Sequence, residues 1–216
     1  MNGTNGNIKK KYIDCVYELL ETEGIEGISI RRVAKELNCN SASLYRYFDN
    51  VEYLICLASI KYLEPYLKDV KEYSSKIKNP IELNAKLWEN YCRYSFTKPE
   101  IFEMLFFGQY KDSLMDIMYE YYDIYKEAFL ELDAFSISFL FTADIFERNY
   151  IFYRRGANQG ILSQELAKKL ANMEVYMFHG MLSECKEKHY EGENLENKVQ
   201  EFVTYSKTLH EIYAEK

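Results

Sequence analysis

The chain has 216 residues, 48% hydrophobic and 16% aromatic (21 Tyr, 13 Phe, 1 Trp), which excludes an intrinsically disordered protein and allows a core without metal or disulfide staples. Its net charge of −7 excludes a protein that coats nucleic acid over its whole surface, and its longest charge-free stretch, Ala134–Ala143, is too short for a membrane-spanning helix of about 20 residues. Five cysteines without a C-x-x-C pair suit reduced thiols, the N-terminus carries no apolar leader, and nine Gly and three Pro leave long unpunctuated segments, so the expectation is a cytoplasmic all-α protein with no membrane partner.

Ile8, Tyr12, Cys15, Val16 and Leu19 form the apolar stripe of a first helix, which Gly24 ends by accepting a left-handed conformation. Ser29 is a natural N-cap for a second helix with Ile30, Val33, Ala34 and Leu37 on its inner face. Asn38-Cys39-Asn40 makes a tight turn. A short third helix, Ser41 to Tyr47, buries Leu44 and Phe48 while Ser41, Ala42, Ser43, Tyr45 and Arg46 point outward. Asp49-Asn50 opens a fourth helix carrying Val51, Leu54, Ile55, Ala58 and Tyr62, and Pro65 disturbs it. A domain boundary is placed there, giving units 1–65 and 66–216 with a helix-turn-helix at 28–47.

Beyond Pro65 the expected helices are 66–76, 80–97, 99–107, 110–131, 134–156, 163–189 and 194–214. Segment 134–155 is apolar nearly all round (Phe135, Ile137, Phe139, Leu140, Phe141, Ile145, Phe146, Tyr150, Ile151, Phe152, Tyr153). A helix of that kind needs cover on every side, and a second copy of the chain is the expected cover. Helix 163–189 adds the row Leu166, Leu170, Met173, Met177 and Met181. Homodimerisation is therefore expected through about 134–156 and 163–189.

Two short helices joined by a tight turn suit a DNA major groove: small outward residues let the backbone approach, and Tyr and Arg reach phosphates or guanine edges. Residues 1–60 carry seven Lys/Arg against eight Asp/Glu, so placement rather than total charge must supply the attraction. Gly24, Ser29, Val33-Ala34 and above all Asn40-Ser41-Ala42-Ser43-Leu44-Tyr45-Arg46-Tyr47-Phe48 give residues 8–58 a close resemblance to the N-terminal domain of the TetR family of bacterial transcriptional regulators. Trp88, Tyr91, Pro99, Phe102 and Phe106 are similar to a C-terminal subgroup with W-x-x-Y and a downstream P-x-x-F-x-x-x-F. The resemblance implies a homodimer, a palindromic double-stranded operator, and a C-terminal helical domain that dimerises and holds a small-molecule effector. Three positions depart from it: Asn38 where Gly is preferred, Cys39 for Val, and Val51 for the Lys that opens the fourth helix near the DNA backbone.

The expected DNA contacts are Tyr45 to phosphate, with Tyr47 either helping or packing beside Phe48, and Arg46 to a guanine edge or a phosphate. Ser41 and Ser43 would touch bases or backbone, Ala42 a thymine methyl, and Ser29 and Arg32 the backbone, unless Ser29 only caps. Lys9–Lys11 reach flanking phosphates or are simply solvated. The aromatic candidates for the effector pocket are Trp88, Tyr91, Phe102, Phe106, Tyr110, Phe146 and Tyr150, which could equally be plain core. Asp144 and Asn149 are polar groups in an apolar segment that either orient a ligand or face solvent. His179, His189 and His210 show no metal-ligand spacing, so neither metal nor cofactor is expected. The leading expectation is a repressor released from its operator by a small hydrophobic or aromatic effector. A helical enzyme has no nucleophile–base pair to support it. A regulator fold that has lost operator binding and acts through protein partners or ligand sensing is the runner-up.

Overall fold

The computed structural model describes residues 2–142 and 144–214, which are 81% helical with no strand among the described residues. The N-terminal unit is built from α1 (Asn2–Glu23), α2 (Ile30–Glu36), α3 (Ser41–Leu44) and α4 (Val51–Ser59). Short polar side chains start three of these helices by taking up free backbone amides: Ser29 accepts from Arg32 N, Asn40 from Ala42 N, and Asn50 from Tyr53 N. Gly24 and Asn38 stop the preceding helices in the left-handed region, at φ 69° and 48°. Ile13, Val16, Val33, Leu44, Phe48 and Leu54 then close over one another in a buried core.

The C-terminal unit contains α5 (Glu64–Lys76), α6 (Pro80–Thr97), α7 (Pro99–Phe107), α8 (Leu114–Ile124) and α9 (Lys126–Leu130). It continues with α10 (Ala134–Leu140), α11 (Ile145–Asn158), α12 (Gln164–Lys188) and α13 (Gly192–Ala214). Pro65, Pro80 and Pro99 each lie in the first turn of a helix, where a missing N–H costs nothing. Pro65 therefore starts α5, and the disturbance expected of it appears as a 3-10 turn at Ile60–Leu63. The buried core runs through this point without a gap, from Tyr12 and Leu54 to Trp88, Phe178 and Phe202. Burial pushes the thiols of Cys15 and Cys185 up to about 11 and that of Cys56 to about 12, so they are protonated and unreactive at neutral pH. No described helix is long and apolar enough to cross a membrane.

Two expected helices are corrected. The span 110–131 divides into a 3-10 turn, α8 and α9, broken where Tyr125 leaves helical dihedrals (φ −106°, ψ 60°). The span 134–156 divides into α10 and α11 because the Asp144 carboxylate accepts from Phe146 N (2.7 Å) and Glu147 N (3.0 Å) and opens a new helix. Asp144 is thus an exposed N-cap and points to no ligand. With the segment folded back, Phe139, Leu140, Ile145, Phe152 and Tyr153 are buried within one chain. Phe135, Ile137, Phe141, Phe146, Tyr150 and Ile151 stay half-buried, so the chain itself covers only part of this segment.

Candidate functional site

In the helix-turn-helix, Tyr45, Arg46 and Ala42 face solvent, whereas Ser41 and Ser43, also expected to point outward, are half-buried. Tyr45 is 60% exposed and Arg46 is exposed, while Leu44 and Phe48 anchor the segment from beneath. Only Ser41–Leu44 is α-helical. The chain then tightens into i→i+3 bonds, Arg46 N to Ser43 O and Tyr47 N to Leu44 O, before Phe48 N returns to Leu44 O. Ser41 is half-buried and Ala42 exposed; Ser43 donates to Asn40 O, and the Tyr47 ring packs tilted against Tyr12 at 6.0 Å, so local contacts take up part of both. Burial first, and the Cys39 thiol second, push the Tyr12 hydroxyl up to about 12.

The basic residues divide into two groups. Arg32 is engaged: its Nε and Nη2 donate to Glu23 (3.0 and 2.6 Å) and its Nη1 to Glu36 (2.6 Å), which raises its pKa and holds the Glu23 carboxyl below its ordinary value. Lys9 pairs with Glu120 in α8, and Lys10 lies over the Tyr125 ring at 5.0 Å. Lys11, Arg31, Lys35 and Arg46 are exposed and make no ion pair among the described residues. Of these four, Arg31 and Lys35 are four residues apart and share one face of α2. Exposed Ser29 uses its Oγ to cap α2 (3.2 Å), and Val51 packs against the core at the start of α4.

The row of tyrosines between 110 and 125 fastens this unit to the rest of the chain. Tyr53 in α4 and Lys9 in α1 both donate to the Glu120 carboxylate, each at 2.5 Å. The Tyr110 hydroxyl donates to Asn50 Oδ1 (3.0 Å), the oxygen that also caps α4. Tyr125 donates to Asp14 and Tyr121 to Glu64, both at 2.7 Å.

The aromatic candidates separate in the same way. Trp88 and Tyr91 line a small central cavity of about 30 Å³, together with Tyr66, Asn84, Leu87, Phe139, Ile145, Arg148, Asn149 and Phe152. Phe102 and Phe106 are buried beside it, edge-on to Tyr91 at 5.5 and 6.0 Å. Tyr110 lies instead at the junction with α4. Phe146 packs on Tyr176 of α12, and Tyr150 lies against Gln164 and Lys168 near the surface. A larger open groove of about 620 Å³ runs between α5 and the 122–133 segment, lined largely by charged side chains such as Lys68, Lys71, Glu72 and Glu131.

Asn149 does not face solvent: it is buried and fully engaged. Its Oδ1 accepts from Trp88 Nε1 (2.9 Å), and its Nδ2 donates to Ala171 O (2.8 Å) and to Glu174 (3.0 Å). Glu174, also fully buried, takes further hydrogen bonds from Asn84 and Ser206 and lies 3.7 Å from His210. Sequence reasoning missed this polar centre because its members come from four helices with no common spacing. It missed Arg148 as well, which lies in the cavity wall and is only 6% exposed.

Met173, Tyr176, Met177, Tyr205, Thr208 and Leu209 line an apolar groove on α12 and α13, with Met173, Tyr176 and Tyr205 37%, 65% and 48% exposed. Positions 173, 176, 177 and Gly180 share one face of α12, and a Cβ at Gly180 would meet nothing within 4 Å.

Residues 16–55 match the family model of the bacterial regulatory proteins of the tetR family. None of the curated proteins is significantly similar in sequence. A putative TetR-family transcriptional regulator from Syntrophomonas wolfei has 14% identity and a TM-score of 0.60, over 97% of this chain and 96% of that one. FadR of Thermus thermophilus, a TetR-family transcriptional repressor in complex with lauroyl-CoA, has 13% identity and a TM-score of 0.54, over 92% of each chain. At such identities the likeness to these structures is one of fold.

Proposed function

We propose, for a chain that belongs through its N-terminal domain to the tetR family of bacterial regulatory proteins, that it acts as a homodimeric repressor in the cytoplasm, released from a palindromic operator by a small effector. The supporting observation is the combination, within the helix-turn-helix unit, of an exposed Tyr45-Arg46 with three further exposed cations, Lys11, Arg31 and Lys35, that have no ion pair among the described residues. Such a set of cations attracts phosphates by position although the chain as a whole is acidic. Major-groove reading by α3 would use Arg46 and the small side chains of Ser41, Ala42 and Ser43, and phosphates would be taken by Tyr45, Lys11, Arg31 and Lys35.

The dimer reading rests on the apolar groove of α12 and α13. Half-exposed Met and Tyr side chains on one continuous face are what a two-fold interface between helix pairs would cover. Two copies would then set their α3 segments one helical turn of DNA apart, roughly 34–36 Å. The effector reading rests on the central cavity. The Thermus repressor is in complex with an acyl-CoA, and a chain of that length exceeds the 30 Å³ present here, so the effector is compact or enters a more open form.

The runner-up, a regulator fold without operator binding, has its own support: Val51 removes a cation from α4, and Glu23 and Glu36 take up Arg32. Selection of duplexes from a random pool by the full-length protein separates the two. The proposed function predicts an enriched palindrome bound by a dimer in sedimentation; a pool that stays random overturns it in favour of the runner-up.

A further inference from the structure

Arg148 sits in the wall of the central cavity with its charge uncompensated. No carboxylate among the described residues lies within ion-pair distance of it. Asp144, whose charge acts on the guanidinium without pairing with it, faces solvent and is occupied as the N-cap of α11. Glu174, which borders the same region through Asn149, is already taken by Asn84, Asn149 and Ser206.

The guanidinium has five N–H donors, and two of its nitrogens are used: Nε donates to Thr142 O (2.9 Å) and Nη2 to Leu140 O (3.3 Å). Those are carbonyls at the end of α10, so one edge of the fork caps a helix. The other nitrogen, Nη1, has no acceptor among the described residues. The flat faces of the group lie 4.9 Å from the Phe106 ring centre and 5.3 Å from that of Phe139, which shields the charge from water without neutralising it.

The Tyr91 hydroxyl, in the same wall, is buried and has no hydrogen-bond partner. Burial lowers the Arg148 pKa and raises that of Tyr91, and each of the two groups moderates the other through its charge. An unpaired cation and an unpaired donor facing one cavity are costly to keep buried, and both are relieved by one anionic oxygen pair.

We propose that the central cavity binds the carboxylate of a short-chain monoacid, with Arg148 Nη1 and the Tyr91 hydroxyl donating to its oxygens. Its alkyl stub would lie against Leu87, Trp88 and Phe152. The ligand is a monoanion because one cation balances one charge; a phosphate dianion would leave a buried negative charge behind. It is short because a cavity of about 30 Å³ holds about one water as it stands, so the wall has to open for the acid and opens least for the smallest. The inference rests on reading the C-terminal unit as an effector domain and names the chemistry of the effector.

Calorimetric titration of the full-length protein with sodium acetate, propionate and butyrate tests it, run at about one pH unit above the second pKa of phosphate so that inorganic phosphate is the dianion arm, with butyramide as the uncharged arm. The monocarboxylates are expected to bind and the other two to give no heat of binding. Arg148→Met is expected to lose at least about 30-fold in affinity for the carboxylate, because it removes the charged partner. Tyr91→Phe keeps the ring packing and is expected to lose about 3- to 10-fold, one hydrogen bond. A parent protein that binds none of the three acids, or a Tyr91→Phe variant that binds as well as the parent, overturns the proposal; so does stronger binding of phosphate or butyramide. The selected operator, added to the same protein, separates this inference from the reading beneath it. Arg148-dependent binding that leaves operator occupancy unchanged sinks the effector reading and keeps the site. Release of the operator by an uncharged ligand alone keeps the effector reading and sinks the site.

Discussion

Replacing Arg46 by Ala isolates the DNA-reading end of the molecule. Arg46 is exposed and has no ion pair among the described residues, so its removal is expected to leave stability within about 0.5 kcal/mol of the parent. Its effect on DNA depends on what it touches. A bidentate contact to guanine is worth about 1–3 kcal/mol, and a dimer makes it twice, so affinity falls between about 30-fold and about 20,000-fold and the base preference at that position relaxes. A phosphate contact instead lowers affinity evenly across sequences and reduces the dimer's slope of log K against log salt by about 1.8. Fluorescence anisotropy on the selected duplex, run over a series of salt concentrations, reads affinity and slope together. Arg32→Ala is the internal comparison. Its guanidinium is held at 2.6 Å by both Glu23 and Glu36, so reaching DNA would first require breaking those bonds, and its removal is expected to cost less affinity than that of Arg46. If Arg46→Ala binds within about twofold of the parent with an unchanged slope, or if Arg32→Ala is the more damaging, the assignment of the exposed cations is wrong.

The carboxylates beside α2 work against DNA, so Glu23→Gln is expected to raise operator affinity a few-fold and steepen the salt dependence; unchanged binding in the same anisotropy assay would show that Arg32 stays out of reach. Trp88→Phe removes the Nε1 donor to Asn149 Oδ1 (2.9 Å) and leaves a buried acceptor unpaired, which should cost about 1–3 kcal/mol in urea denaturation. A loss below about 0.5 kcal/mol would mean that the polar centre relaxes freely. The Arg93 guanidinium, helped by Gln200, holds the Glu196 carboxyl at about 2 against an ordinary 4.5, and so ties α6 to α13. Because the folded value is the lower one, this contribution is full above about pH 4.5 and disappears as pH falls towards 2. Both side chains are more than a third exposed, so solvent screening keeps the gain to a few tenths of a kcal/mol up to about 1. Thermal unfolding of the parent and of Glu196→Gln should therefore differ at pH 5 and converge near pH 2; a gap that persists in acid refutes the pairing.

What could be read in the sequence was local. Ser29, Asn40 and Asn50 cap the helices that follow them, and Asn38 turns between α2 and α3, because each acts on backbone within three residues of itself. The division of 134–156 was also written locally: Asp144 with Glu147 three residues on is a helix-start signature, and the apolar run around it hid the signal. The break at Tyr125 carries no such mark and is set by packing, with Tyr125 stacked at 4.4 Å on Tyr121 and bonded to Asp14. Arg32 looked like a free cation because Glu23 reaches it across the Gly24 turn, nine residues back. Arg148 drew no notice in a segment read as apolar nearly all round. Only the fold shows that α10 and the rings of Phe106 and Phe139 enclose it.

The distance from cavity to DNA-binding end is short in terms of contacts. Tyr91 in the cavity wall packs on Phe102 and Phe106 of α7, and α7 lies against α4. The turn that follows α7 carries Tyr110, whose hydroxyl shares Asn50 Oδ1 with the amide that starts α4. A carboxylate drawing the Tyr91 hydroxyl towards Arg148 would act on the Phe106 side of α7, and so on the one oxygen that both caps α4 and joins it to the C-terminal unit. Each hydrogen bond in that junction is worth about 0.5–1.5 kcal/mol net, and a regulatory coupling needs about 1–3 kcal/mol in all. Weakening two of the bonds made by Tyr110, Tyr53 and Lys9 would suffice. On the proposed function, the hydrogen bonds of Tyr110 and Tyr125 are the ones through which a displacement at the cavity would reach α4 and α1.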